Sequence, residues 1–466
     1  MDGRGVRQSD RGAQLTAAGA GVTIDERALR EAAVAVLRRN DVGGWTKPAP
    51  RLYPHQWSWD SAFIAIGLAH LDPGRAVEEL EHLFAAQWSD GRVPHMVFDP
   101  NVPEYWPGAD LWASRAVPAA PRAFATSGLI QPPMHAIAVW RILQIVHAER
   151  GSDAERAVTA RAVALYPKLL AWHRYLAERR DGEGSGLISV YHPWEGTDNT
   201  PRWDAALARI DVGALPPYAR TDLAIVADAT ERPTKAEYDR YLWLVALLRE
   251  AGYEDAVVQK SHPFLIKDVQ CSAIFVAAND ALARIAELAG APPEERATIA
   301  LWSARSAEAV RNCWDHKLEL GLDVDLRAGR PIRCVTSAGL CPLLVPGLTK
   351  AEARHFAKRM FGLDFAGAKG LAYPVVLSTG ATTPEFRPRA YWRGPTWPVI
   401  NWLLWCGLRA HGLEDEAALL RRANLALLAR PGAGFAEYYE PFTGEPLGSL
   451  DQSWTAAVTI DWLATP

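Results

Sequence analysis

The chain has 466 residues, of which 49% are hydrophobic and 22% charged, with a formal net charge of −4. Its length accommodates a large core, and its near-neutral balance without a basic run gives no general attraction to nucleic acid or an anionic membrane. No stretch approaches the roughly 18 uncharged apolar residues of a membrane-spanning helix.

Residues 1–22 carry Arg4, Arg7 and Arg11 among small residues without an apolar h-region, so a mobile N-terminal extension is expected rather than a signal peptide. Thr23 followed by Glu26 has the capping-box form and is expected to open a helix over 24–39. Periodicity then predicts helices over 58–70, 74–88, 130–150, 154–179, 235–252, 268–289, 294–316, 349–360, 396–411, 414–429 and 452–463, about twelve in all. Short strands are expected around 187–191 and 372–377.

The predicted helices are of two kinds. Those over 130–147, 269–288, 396–410 and 452–463 are apolar around most of their circumference, whereas 74–88, 294–316 and 414–429 carry one apolar stripe and a charged face. Helices apolar all round belong inside and striped ones outside. About six of each in alternation describe an all-α fold, an (α/α)6 barrel, and the lack of a fixed-period repeat counts against a solenoid. The connections 88–130, 180–234 and 361–395 are long and rich in Pro, Gly and aromatics, the composition of functional loops. They are expected to form a cap on a single catalytic domain spanning 23–466.

Five cysteines (Cys271, Cys313, Cys334, Cys341, Cys406) are odd in number, and none lies in a CxxC spacing. They read as small core residues of a cytoplasmic protein. No metal site or cofactor is expected, because no His/Asp/Glu cluster has ligand spacing. The 19 tryptophans are the informative excess. Many flank polar residues in irregular segments, as in Trp57-Ser58-Trp59-Asp60 and Trp194-Glu195. Indole faces pack on the C–H faces of sugar rings, although tryptophan also simply fills a large core.

Glycoside cleavage needs one carboxyl group to protonate the leaving oxygen and a second to activate water or attack carbon. Asp198 lies in His192-Pro193-Trp194-Glu195-Gly196-Thr197-Asp198-Asn199-Thr200-Pro201-Arg202-Trp203-Asp204, a loop of acids and tryptophans. Flanking aromatics desolvate a carboxyl group and raise its pKa toward that of a proton donor. An Asx-turn role at Asn199-Thr200-Pro201 is the alternative. Glu437 lies in Gly434-Phe435-Ala436-Glu437-Tyr438-Tyr439-Glu440-Pro441. Local chemistry does not separate it from Glu440 or Glu445.

Four segments, in order, resemble glycoside hydrolase family 63: Tyr53-Pro54-His55-Gln56-Trp57-Ser58-Trp59-Asp60, Asp198-Asn199-Thr200-Pro201-Arg202-Trp203-Asp204, Tyr391-Trp392-Arg393-Gly394-Pro395-Thr396-Trp397-Pro398 and Phe435-Ala436-Glu437-Tyr438-Tyr439. Within that family the likeness is to the bacterial glucosylglycerate and mannosylglycerate hydrolases. Arg232-Pro233, Glu237-Tyr238-Asp239-Arg240-Tyr241-Leu242-Trp243 and Gln452-Ser453-Trp454-Thr455-Ala456-Ala457 extend it over roughly 25–464. One departure is Trp194-Glu195-Gly196-Thr197-Asp198, a residue shorter than the family's W-E-S-G-x-D run. This bears on the approach of the chain to Asp198.

The resemblance implies an (α/α)6 barrel, Asp198 as general acid, Glu437 as general base, and hydrolysis with inversion. Tyr53, Trp59, Asp60, His95, Trp194, Trp397 and Gln452 are the sugar-binding candidates. Asp60 alternatively caps its helix, and His95 is alternatively a packed loop histidine. The resemblance places Arg232, Tyr238 and Gln131 at the carboxylate of a small anionic glycoside, while Tyr391 and Trp392 are candidates for either subsite. A solvated arginine and a helix-start glutamine are the alternatives for Arg232 and Gln131. The expected substrate is glucosylglycerate, with mannosylglycerate or another small α-glycoside next. Sugar epimerisation and non-catalytic glycan binding are the rival classes. Whether the chain forms a homo-oligomer is left open.

Overall fold

The computed structural model describes residues 24–102, 104–147 and 153–465. The expected extension over 1–22 and the Thr23 cap lie outside these. The first described helix, Glu26–Asn40, is capped instead by Asp25, whose carboxylate accepts from the Ala28 N–H.

Six buried segments pack in cyclic order. Ser58–Ala69 meets His135–His147, which meets Val269–Leu288, then Ser337–Leu344, Pro398–Ala410 and Ser453–Ala464; the last returns to Ser58–Ala69. Every residue of Ser58–Ala69 and of Ser337–Leu344 is buried, so neither needs a polar face. Striped helices lie outside: Glu26–Asn40 on Ser453–Ala464, Pro73–Ala85 on Ser58–Ala69, Pro293–Asn312 on Val269–Leu288, and Glu414–Leu428 on Pro398–Ala410. Buried Asp461 ties the ring on one side, accepting from Trp402 Nε1 at 3.0 Å and Arg141 Nε at 3.0 Å and meeting His70 Nε2 at 2.8 Å.

The structure corrects the sequence expectations at several points. Ser337–Leu344 was not expected, because Gly339 and Pro342 break helical periodicity; it winds as a tight 3-10 segment. Lys235–Glu250 forms as expected, with a Thr234/Glu237 capping box, but packs against the loop helix Ala109–Trp112 instead of joining the ring. The helix expected from 130 begins at His135, because Pro132 and Pro133 hold their predecessors out of helical geometry. The one expected over 154–179 divides into Asp153–Ala164 and Tyr166–Arg179 at Pro167, which has no N–H to give.

The strand expected near 187–191 forms as Ser189–Val190, at the edge of a four-stranded antiparallel sheet with Ile266–Lys267, Val324–Asp325 and Arg330–Pro331. No strand forms over 372–377. Val376 instead gives its N–H to Asn401 Oδ1 at 2.8 Å, and its carbonyl accepts from Asn401 Nδ2 and Thr396 Oγ1. Side chains thus satisfy the backbone that a strand partner would have satisfied.

The ring closes by close backbone approach. A Cβ on Gly67 would lie 2.4 Å from Ala457 Cα on the facing helix. Gly67→Ala is expected to lower unfolding free energy by about 2 kcal/mol through overpacking. Urea denaturation would register this as a lower midpoint at unchanged m-value, and an unchanged midpoint would contradict the approach.

Candidate active site

Glu437 stands just before the strand Tyr438–Tyr439, which pairs with Pro446–Leu447. This hairpin clasps the residue from both sides: the Glu437 N–H donates to the Ser449 carbonyl at 2.7 Å, and the Ser449 N–H donates to Oε2 at 3.2 Å. Gly448, at φ 70°, allows the close passage, since a Cβ there would sit 2.4 Å from Oε2. Oε1 accepts from Tyr53 Oη at 2.8 Å and Tyr391 Oη at 3.1 Å. Burial raises the pKa of Glu437, opposed by Arg232 and then by these hydrogen bonds to its charged form. The two acids that sequence could not separate from it have other work. Glu440 Oε2 accepts from the Phe442 and Thr443 N–H groups in a turn, and Glu445 pairs with Arg389.

Asp198 is half-buried on a loop pinned at both ends. Upstream, buried Glu195 accepts from Arg180 Nη1 and Nη2 at 2.9 and 2.7 Å, and from the Ile130 and Tyr191 N–H groups at 3.0 and 2.6 Å. Downstream, Asn199 adopts φ 64°, gives its N–H to Tyr241 Oη at 3.2 Å, and accepts from Arg393 Nε at 2.9 Å. Arg202 bonds Thr197 Oγ1, Asp268 and Asp323, tying the loop to the head of Val269–Leu288. Burial pushes the Asp198 pKa up to about 7; Arg232 opposes this, and the Glu437 charge adds to it.

Both carboxyl groups line one pocket, about 880 Å³ with its mouth included. Tyr53, Trp59, Asp60, His95, Gln131, Trp194, Arg232, Tyr238, Tyr391, Trp392 and Gln452 line it too. Asp60 does not sit at the cap of its helix, where Trp57 stands; its Oδ1 accepts from Gln452 Nε2 at 3.4 Å. Burial and the nearby Glu437 push its pKa well up. His95 bonds Ser127 Oγ through Nδ1, and burial lowers its pKa to about 3, which makes it neutral. Gln131 Oε1 accepts from the Trp59 N–H at 3.1 Å. Arg232 is buried, not solvated: it donates to Tyr53 Oη at 3.3 Å and to Asp222 Oδ2 at 3.2 Å, with its guanidinium 4.3 Å from the Tyr391 ring centre.

Trp397 is the exception. It does not line the pocket but stacks behind Trp392, with ring centroids 3.7 Å apart and planes within 4°. Sequence reasoning also passed over Trp57, Tyr105, Trp106, Trp112, Asp222 and Trp454, which with Leu52, Met96, Pro107 and Gly196 complete the wall. The aromatic content of 88–130 was a signal for Tyr105, Trp106 and Trp112. Nothing local marks Asp222.

A pocket walled by aromatic rings, with two carboxyl groups held at raised pKa, is the site of a glycoside hydrolase. The family model described as the mannosylglycerate hydrolase MGH1-like glycoside hydrolase domain matches residues 53–455, and the chain belongs to that family. It is 45% identical to a glucosylglycerate hydrolase of Mycolicibacterium hassiacum, over 93% of this chain and 97% of the relative. It is 41% identical to mannosylglycerate hydrolase MGH1 of Selaginella moellendorffii, over 95% and 86%. Its structure is similar to that of the family 63 mannosylglycerate hydrolase from Thermus thermophilus in complex with Tris and D-glycerate. That match has a TM-score of 0.84 and 40% identity, and covers 93% of this chain and 99% of the other.

The anchor of the Asp198 loop is open to test. Glu195→Ala takes the two-pronged partner from buried Arg180 and leaves it the Asp255 carboxylate, at 3.4 Å, and a loss of about 3–5 kcal/mol in unfolding free energy is expected. Chemical denaturation measures it; a loss within 1 kcal/mol would mean that the pair anchors nothing.

Proposed function

We propose that this chain hydrolyses glucosylglycerate to glucose and glycerate with inversion at the anomeric carbon. Asp198 gives its proton to the glycosidic oxygen as the bond to the anomeric carbon breaks. Glu437 takes a proton from the water whose oxygen attacks that carbon on the opposite face. Inversion needs room for this water, with carboxyl groups about 6.5–9.5 Å apart. The observation that carries the reading is the difference between the two carboxyl groups. Asp198, with a pKa pushed up to about 7, retains a proton near neutrality, while at Glu437 two phenol O–H groups, a backbone N–H and Arg232 favour the ionised form against the burial that raises its pKa. One environment suits an acid and the other a base.

The sugar occupies the end walled by Tyr53, Trp59, Asp60, His95, Trp194 and Gln452. Trp397 acts from behind Trp392. The glycerate carboxylate faces Arg232, Tyr238 and Gln131. The ring of buried segments and its outer helices form an (α/α)6 barrel over 23–466, and the loops 88–130, 180–234 and 361–395 form its cap. Five cysteines without a CxxC spacing, read as small core residues, support a cytoplasmic location; among the described residues no helix is long and apolar enough to cross a membrane. Relatives named for mannosylglycerate give that substrate as the second reading. Progress curves on both purified glycosides decide between them: faster turnover of mannosylglycerate would replace the first reading.

Asp198→Ala and Glu437→Ala should each lower kcat by about 10³-fold, and proton NMR of the fresh product should show the anomer opposite to the substrate's. Retained configuration would rule out the water-activating role. The pH profile of kcat/KM should fall on the basic side near pH 7, where Asp198 loses its proton, and on the acidic side above the ordinary glutamate range. Tyr53→Phe removes a donor that favours the ionised form of Glu437, so the base's pKa rises and the acidic limb moves to higher pH. A limb that stays or moves down would remove Tyr53 from control of the base.

A further inference from the structure

Arg232 is expected to receive the substrate's carboxylate, yet in the structure its side chain already has partners. Its Nε donates to Asp222 Oδ2 at 3.2 Å and its Nη1 to Tyr53 Oη at 3.3 Å. Asp222 lines the same pocket, so a carboxylate stands where an anionic substrate must approach. On electrostatics alone this arrangement opposes binding. The opposition is removed from behind: Arg220 clamps Asp222 through Nε to Oδ1 at 3.0 Å and Nη2 to Oδ2 at 2.6 Å. Arg220 is itself fixed by the Pro233 carbonyl and lies 4.3 Å from the Tyr238 ring centre. Its side chain is only 5% exposed, so it is a built part of the wall and not a surface charge.

Arg220 neutralises Asp222, and Asp222 still holds Arg232 by Nε. A guanidinium held at Nε cannot turn about its long axis, which fixes where its terminal nitrogens point. We propose that Asp222, backed by Arg220, is a positioning residue that sets the Arg232 fork and so gives the site its preference for an anionic aglycone. The proposal rests on the reading of Arg232 as the carboxylate receptor. It makes a prediction opposite to that of simple charge. If Asp222 acted only through its charge, Asp222→Asn would strengthen binding of an anion. If it acts by orienting Arg232, the same change weakens it.

The experiment compares kcat/KM on the glycerate glycoside with that on the glycerol glycoside of the same sugar, in which a neutral CH2OH replaces the carboxylate. In Asp222→Asn the preference for the anionic substrate should shrink about tenfold, the scale of one charge-assisted hydrogen bond, with the loss in KM and not in kcat. Because Asp222→Asn leaves Arg220 underpaired, the double variant Arg220→Met/Asp222→Asn is measured as well, and it should show the same shrunken preference. A preference retained or increased in either folded variant overturns the proposal. If the parent shows no preference for the anionic glycoside, the reading of Arg232 fails and the proposal falls with it. A parent preference that survives in the variants sinks the proposal alone.

Discussion

The pocket is an acidic space organised around one buried cation. Asp60, Asp198, Asp222 and Glu437 all line it, and among the described lining residues Arg232 is the only arginine or lysine. It is the largest influence opposing burial on both Asp198 and Glu437. Taking several carboxyl groups out of water is costly unless each is neutral, paired or hydrogen-bonded. The site uses all three solutions. Glu437 is hydrogen-bonded, Asp222 is paired with two arginines, and burial pushes Asp60 and Asp198 toward their neutral forms.

Such a balance works only if the groups hold their positions, and much of the surrounding structure does that. Aromatic stacking fixes the wall: Trp397 lies flat against Trp392 on one side and within 4.7 Å, centroid to centroid, of Tyr438 on the other. Flat rings with few rotatable bonds give large buried area for little lost entropy. Buried ion pairs fix the loops. Arg180–Glu195 and Arg202–Asp323 contribute little net stability for their desolvation cost, but the first ties the loop beside Asp198 to the end of the preceding helix Tyr166–Arg179 and the second ties it to a residue 121 positions away. The hairpin after Glu437 does the same through backbone bonds and the Ser449 N–H given to the Glu437 carboxylate.

How much of this was legible in the sequence depended on range. Helical stripes are local, and they placed Pro73–Ala85, Pro293–Asn312 and Glu414–Leu428 outside correctly. Ser337–Leu344 was hidden because its inner position comes from packing, not from periodicity. Asp198 stood out through its aromatic neighbours. Glu437 did not, because what separates it from Glu440 and Glu445 is contact with Tyr53 and Tyr391, 384 and 46 residues away. Only the family resemblance could single it out. Trp397 shows the converse limit: lining and backing tryptophans in one motif share a composition, and only their stacking order distinguishes them. Asp222 acquires meaning from Arg220 and Arg232, and neither spacing nor periodicity announces such a triad.

The proposed substrate fits this charge balance in a further respect. With Glu437 acting as the ionised base that the proposed reading requires, Glu437 and Asp222 stand against Arg232 and Arg220, so the unliganded groups roughly cancel. A glycerate carboxylate arriving at Arg232 adds one negative charge and takes up part of the field that holds the Asp198 pKa down. The acid is thereby pushed further toward its protonated form when its substrate is present. The same field opposes the ionised base, which is why Glu437 needs two phenol donors and a backbone N–H of its own. A neutral disaccharide would bring no such charge, and in a site of this kind it would meet a less fully protonated acid. On the proposed reading, the anionic aglycone would contribute to catalysis as well as to recognition, through a group that takes no part in bond breaking.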